Sequence, residues 1–459
     1  MAISPARTTA FDILLRVETE DAYASELLHS ASLDKLSSQD RGLATEIVMG
    51  VLRWQGQLDL QAGHYTDKAV PKLDAEVRIA LRMAMYQRNH LARVPEHAIL
   101  NDSVELVKRA RKRSAAGFVN AVLRKAFLGP RPESPSRSAG FDLTQQRDPA
   151  GVLERGLSHP RWLVERWIET FGAANATQIC EHDQQPPATA LRLADPNVEA
   201  ELQHDGIGLA PGTLVAGARR VLSGDVTKTK AFREGRVQIQ DEASQLVAML
   251  VGRVEGGRRV LDCCAAPGGK TAVLAARNPA ATIIATEIHP QRAALTRQRV
   301  RAANVEVITA DATKLRNILP DPGSFDRVLA DVPCSGTGTL ARNPEIKWRL
   351  VPEKLADFHR LQVAILNAAL DQLAPNGKLV YSTCSLEREE NEDVVEDILR
   401  TRNDVELLDM RDELATLAKA GELASNIELI DSLLAGKFLR TLPGVHPSDG
   451  FFAAMLRKH

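Results

Sequence analysis

Apolar residues return at helical spacing through the first part of the chain. The strings Ala10-Phe11-Asp12-Ile13-Leu14-Leu15, Ala44-Thr45-Glu46-Ile47-Val48-Met49-Gly50-Val51-Leu52 and Val77-Arg78-Ile79-Ala80-Leu81-Arg82-Met83-Ala84 each set apolar side chains three and four apart. Val119, Val122 and Leu123 continue the stripe to Phe127. Ser37-Ser38-Gln39-Asp40 places helix-starting residues just before one of these runs. Residues 1–128 are therefore expected to be all helix. The periodicity then stops. Residues 129–138 hold three prolines in ten positions, and 129–150 read as a linker. Residues 151–235 predict a small α+β segment, with one amphipathic helix around Trp162, Leu163, Trp167 and Ile168, then short strand-like runs such as 189–193. From 236 to 459 strands and helices alternate. Strands are expected at 260–264, 282–287, 305–309, 326–331 and 378–382, with helices opening at Gly269 and Pro290. That order is the signature of an α/β chain with a doubly wound parallel sheet.

Composition narrows the picture little. A chain of 459 residues suits two or three domains, and its 44% hydrophobic and 25% charged content is that of ordinary globular protein. The formal net charge is -1. No global field draws the chain to a polyanion, so any nucleic-acid site must be a local patch. One candidate is Lys108-Arg109-Ala110-Arg111-Lys112-Arg113, with five cations in six residues, read either as a solvated helix face or as a phosphate contact. No apolar run approaches the roughly 18 residues of a membrane span, and the first residues lead into an amphipathic pattern rather than a signal peptide. Five cysteines, an odd number, fit free thiols in a reducing compartment, so a cytoplasmic location is expected.

Two of those cysteines carry the chemistry. Pro333-Cys334-Ser335 and Thr383-Cys384-Ser385 each follow an apolar run that reads as a buried strand. In an open parallel sheet, reactive groups stand just past the carboxyl ends of strands. Isolated cysteines are usually core residues, but these two have polar flanks: Asp331, Ser335, Gly336 and Thr337 around the first, Ser382, Thr383 and Ser385 around the second. A structural zinc site would need paired C-x-x-C spacings, which the chain lacks. No metal is expected.

The first strand runs into Cys264-Ala265-Ala266-Pro267-Gly268-Gly269-Lys270, where small residues and two glycines let backbone approach a ligand at a helix N-terminus. It is not a phosphate loop, since that pattern needs glycine where Cys264 stands. Glu287 ends the second strand, 18 residues past Gly269, where a carboxylate can accept both hydroxyls of an adenosine ribose. Asp311, after the third strand, can meet the adenine amino group. In a regular strand Cys263 and Cys264 would face opposite ways, so one is expected to be core.

Together these strings resemble the S-adenosylmethionine-dependent RNA cytosine-5 methyltransferases of the Sun/Fmu type. The matching segments are Gln240-Asp241-Glu242-Ala243-Ser244-Gln245, Asp262 through Thr271, Asp331-Val332-Pro333-Cys334-Ser335-Gly336-Thr337-Gly338, Ser382-Thr383-Cys384-Ser385 and Asp449-Gly450-Phe451-Phe452, in the family's order. The N-terminal helical region looks like a NusB-like RNA-binding domain, notably at Gln39-Asp40-Arg41 and Phe118-Val119-Asn120-Ala121-Val122-Leu123-Arg124. The pairing is similar to bacterial enzymes that act on 16S ribosomal RNA. The resemblance implies Cys384 as nucleophile, Cys334 as promoter of release, and Asp331 at ring nitrogen 3 of the base. It also implies a donor site built from Cys264, Ala265, Ala266, Pro267, Gly268, Gly269, Lys270, Glu287, Asp311 and Asp331. The family often has aspartate where Glu287 stands. The expected partner is RNA, with no membrane and with a monomer favoured. Three rivals stay open: a DNA cytosine-5 methyltransferase, disfavoured by Cys384; a non-catalytic RNA-binding factor; and the same chemistry on transfer RNA.

Overall fold

The computed structural model describes residues 3–29, 33–66, 69–129, 147–319, 321–424 and 427–459. Most of the expected linker, 130–146, lies outside the described residues. The described chain divides into two compact units, one of Met1–Pro186 with Leu340–Arg349 and one of Pro187–Thr339 with Leu350–His459.

In the first unit the apolar stripes become helices, and no strand occurs among its described residues. The central helix is Ala75–His90, buried on most of its faces through Val77, Ile79, Leu81, Met83 and Met85. It is enclosed by Pro5–Thr19, Ser38–Arg53, Glu96–Arg109 and Ala116–Phe127, and the polar side chains it buries, Arg82, Gln87 and Arg88, all find partners. Ser37 caps its helix as expected, its side chain accepting from the Asp40 N–H at 3.1 Å. Two buried cations are paired with carboxylates, Arg82 with Asp59 at 2.7 Å and Arg7 with Asp102 at 2.6 Å, which offsets the cost of taking them out of water. The helices Pro149–Leu157 and Arg161–Asp183 also belong to this unit.

The second unit holds two sheets. The smaller is antiparallel, in the order β2-β3-β1-β4, from β1 (Ala190–Leu193), β2 (Gly208–Pro211), β3 (Ala218–Ser223) and β4 (Val237–Ile239). The larger begins with β5 (Arg259–Asp262), β6 (Thr282–Glu287), β7 (Val305–Thr309), β8 (Phe325–Asp331) and β9 (Leu373–Thr383), all parallel in the order β7-β6-β5-β8-β9. The chain winds outward from β5 to β7 and then returns to the other side of β5. The switch point therefore falls between β5 and β8, where open α/β sheets bind ligands.

The sheet is mixed rather than wholly parallel. It continues through β10 (Val405–Leu408), β11 (Leu434–Ala435), β12 (Phe438–Thr441) and β13 (Phe451–Lys458). β13 runs antiparallel to β9, with Phe452 opposite Thr383 and Leu456 opposite Leu379. The run Phe451 to Leu456 is buried throughout. A strand buried on both faces loses the alternation that marks a half-exposed one, so its direction is not written in its composition.

Candidate active site

β8 and β9 are neighbours in register, with Asp331 opposite Ser382. Their carboxyl ends therefore deliver two turns side by side, and the Cys334 and Cys384 sulfurs lie 3.4 Å apart. The Cys334 thiol is held well above its ordinary pKa, first by its hydrogen bond to Cys384 and then by burial. The turns are stitched together by Gly338 N–H donating to the Cys384 carbonyl at 2.9 Å and by Leu386 N–H donating to Thr337 Oγ1 at 2.8 Å. Gly338 is also pressed against Gly450: a Cβ at 338 would stand 2.3 Å from the Gly450 carbonyl oxygen and 2.8 Å from its Cα. Both are backbone atoms and cannot swing aside. Gly338→Ala is accordingly expected to destabilise the protein by about 1–3 kcal/mol, the usual scale of forced overpacking. Thermal denaturation checks this, and an unchanged midpoint would show that the contact yields freely.

Asp331 ends β8 with both oxygens engaged. Oδ2 accepts from Lys270 Nζ at 2.8 Å and Oδ1 from Ser382 Oγ at 2.8 Å. Lys270 thereby ties the helix Gly269–Arg277, which begins right after the glycine turn, to the strand that carries Cys334. Its ammonium also lies 4.9 Å from the Phe451 ring centroid. Burial alone would lower the Lys270 pKa; the Asp331 carboxylate, with smaller contributions from Cys384 and Asp262, more than reverses that and leaves it raised. The site thus keeps a permanent cation whose field reaches the Cys384 sulfur.

β5 stops at Asp262, so alternation along a strand does not extend to the cysteine pair that follows. Cys263 is buried in the core and Cys264 is half-buried in the turn; burial pushes both thiols up. Asp262 accepts from Thr271 Oγ1 at 2.7 Å on one oxygen, while its buried Oδ1 has no hydrogen-bond partner among the described residues. Burial, with Asp331 adding to it, pushes the Asp262 carboxyl up to about 7. Beyond it the turn closes through Ala265 N–H to the Thr286 carbonyl at 2.9 Å, and Gly268 adopts φ +100°, which a residue with a Cβ rarely adopts.

Glu287 ends β6 nearly buried. Its Oε1 accepts from His289 N–H at 2.9 Å, and among the described residues the nearest cation to Oε2 is Arg292 at 3.9 Å, outside hydrogen-bond range. Asp311 follows β7 and is more committed than expected. It caps a short turn, accepting from Thr313 N–H at 3.0 Å and Thr313 Oγ1 at 2.7 Å, and these bonds hold its carboxyl below the usual range. An acceptor at the end of β6, an orphaned buried oxygen at the end of β5 and a glycine turn opening a helix together fit a ligand with donating hydroxyl and ammonium groups.

Beneath the cysteine turns, the flanking Ser335 and Ser385 meet a buried side chain that the sequence did not single out, Glu390. Trp348 belongs to the first unit, where its indole N–H donates to the Leu52 carbonyl at 2.7 Å. Of the five cations in 108–113, three have intramolecular partners: Lys108 with Glu105, Arg109 with Asp12 and Lys112 with Asp74. Exposed pairs of this kind contribute little to stability, so they leave the patch available to phosphate at small cost.

Two family models match the chain: one described as 16S rRNA methyltransferase RsmB/F over residues 249–457, and one described as the NusB family over 4–127. A probable ribosomal RNA small subunit methyltransferase B of Bacillus subtilis (strain 168) is 31% identical over 100% of both chains. The ribosomal RNA small subunit methyltransferase B of Pseudomonas syringae pv. tomato is 32% identical over 93% of this chain and 91% of its own. Among solved structures, the crystal structure of PH0851 has the same fold, with a TM-score of 0.80 over 100% of both chains at 23% identity.

Proposed function

The chain belongs to the RsmB/F family of RNA methyltransferases, and on that premise we propose that it methylates carbon 5 of one cytosine in 16S ribosomal RNA through a covalent bond between Cys384 and the base. The observation that carries this reading is the 3.4 Å separation of two thiols at adjacent strand ends beside a fixed cation.

Carbon 5 of cytosine is a poor nucleophile. Addition of the Cys384 thiolate at carbon 6 forms a carbon–sulfur bond and moves the ring electrons toward carbon 5 and nitrogen 3, which makes carbon 5 nucleophilic. Lys270 supplies the positive charge that an attacking thiolate needs nearby. Asp331, held by Lys270 and Ser382, meets the base at its nitrogen 3 edge, and the Lys270 ammonium beside it supplies the positive charge that offsets the negative charge developing there. S-adenosylmethionine is the methyl donor and, when bound, presents the methyl group on an electrophilic sulfonium. The turn from Cys264 to Lys270, Glu287 and the half-committed Asp311 would hold it. A water molecule takes the carbon 5 proton, the electrons of that bond restore the ring double bond, and the bond from carbon 6 to Cys384 breaks. Cys334, its thiol held protonated 3.4 Å away, promotes that expulsion by giving its proton to the departing sulfur. Carbon 6 is out of reach inside a stacked helix, so the target cytosine must be unpaired or turned out.

Unmodified 16S ribosomal RNA incubated with the protein and S-adenosylmethionine should show one cytosine newly protected from bisulfite deamination. Methyl transfer with every cytosine still deaminated would overturn the carbon 5 assignment. Protection confined to transfer RNA would overturn the substrate.

A further inference from the structure

Beneath the two cysteine turns lies a carboxylate that the chemistry above does not use. Glu390 is 0% exposed. Its Oε1 accepts from Ser335 N–H at 2.8 Å and from Gln362 Nε2 at 2.9 Å. Its Oε2 accepts from Ser385 Oγ at 2.5 Å and from Ser335 Oγ. The donors are not a random set. Ser335 immediately follows Cys334 and Ser385 immediately follows Cys384, so a single side chain grips both turns one residue past each sulfur. The grip is itself anchored. Tyr381 OH donates to the Glu390 carbonyl at 2.5 Å, and the adjoining Asn391 donates to the Ser385 carbonyl at 2.9 Å. Gln362, on the helix Glu353–Gln372, also donates to the Pro333 carbonyl at 2.9 Å.

We infer that Glu390 is a positioning residue for methyl transfer, its buried carboxylate clamping the Ser335 and Ser385 turns together and thereby setting the distance between the Cys334 and Cys384 sulfurs. A buried carboxylate is costly unless every oxygen is satisfied, and here four donors satisfy it. Two hydroxyls, one amide N–H and one side-chain amide converge on it, and all four donate to a charged acceptor. A carboxamide of the same shape keeps its oxygen for the Ser335 N–H and Gln362 but turns an NH2 toward the two hydroxyls, which must then accept rather than donate, and it replaces the charge-assisted bonds with weaker neutral ones. The electrostatics fit the same role, because the Glu390 charge is one of the influences that hold the Cys334 thiol up. The inference rests on Cys334 and Cys384 being the working pair.

The test uses the full-length protein with Glu390→Gln and, as a second variant that leaves the carboxylate in place, Ser385→Ala. The readout is bridging of the two thiols by dibromobimane, which forms two carbon–sulfur bonds with loss of two bromides and fluoresces only when both arms have reacted. Peptide mapping assigns the bridge to Cys334 and Cys384. Wild type should bridge rapidly, and each variant should bridge about tenfold more slowly. In steady-state methylation kcat should fall 10- to 100-fold with KM for RNA unchanged, the scale of a misplacement of about 1 Å. If wild type bridges and both variants bridge equally fast, the clamp is wrong while the thiol pair stands. If wild type itself fails to bridge, the pair is wrong and the clamp falls with it. Should Glu390→Gln not fold, the Ser385→Ala rate decides alone, a slow bridge supporting the clamp and a wild-type rate overturning it.

Discussion

Cys384→Ala is expected to transfer no methyl group to RNA. Removing the atom that adds to carbon 6 leaves carbon 5 unactivated, and the loss should be on the order of 10⁴-fold or greater, as for other enzymes deprived of a covalent nucleophile. The neighbouring sulfur is a poor replacement. Cys334 stands 3.4 Å away at the end of a different strand, and after the substitution burial and the Glu390 charge still hold its thiol up. Incorporation of labelled methyl from S-adenosylmethionine into RNA measures the loss. Binding of S-adenosylmethionine should be unchanged, since Gly268, Glu287 and Asp311 are untouched, and it serves as the control for folding. Residual turnover within tenfold of wild type would show that Cys384 is not the nucleophile.

Cys334→Ala is expected to give the opposite picture, an enzyme that begins the reaction and does not finish it. Cys384 remains to add at carbon 6, and Lys270 and Asp331 remain beside it. What is lost is the thiol that promotes expulsion of the attached sulfur. Turnover should drop by about 10²–10⁴-fold, the range for loss of a proton-transferring group, and a protein–RNA species resistant to denaturant should accumulate. Denaturing electrophoresis of the variant with RNA and S-adenosylmethionine shows it directly. Normal turnover without adduct would remove Cys334 from the reaction.

Much of this site could be read before any coordinates, because its key residues sit in local signals. Cys334 and Cys384 each follow an apolar run and precede a polar turn, and the glycine turn at 264–270 follows another. What made them one site was register: Asp331 opposite Ser382 is a pairing across 51 residues, and it places the two turns together. Glu390 was illegible for a different reason. It stands in Glu389-Glu390-Asn391-Glu392-Asp393, where composition gives no cue as to which acid turns inward. The burial of Glu390 is decided by its partners Ser335 and Gln362, which lie 55 and 28 residues away. The Lys108–Arg113 run illustrates the same limit, since its partners Asp12 and Asp74 are distant in sequence. The direction of β13 was hidden by the even burial of its residues. Helices of the first unit were the most legible elements, since their stripes repeat at the spacing that buries one face.

The most direct measurement is mass spectrometry of the species trapped by Cys334→Ala, after digestion of both protein and RNA. The account predicts that the peptide containing Thr383-Cys384-Ser385 carries one cytidine on the Cys384 sulfur, with an added methyl group on the base. An unmodified Cys384 peptide, together with a cytidine adduct at Cys334 in the Cys384→Ala protein, would contradict it.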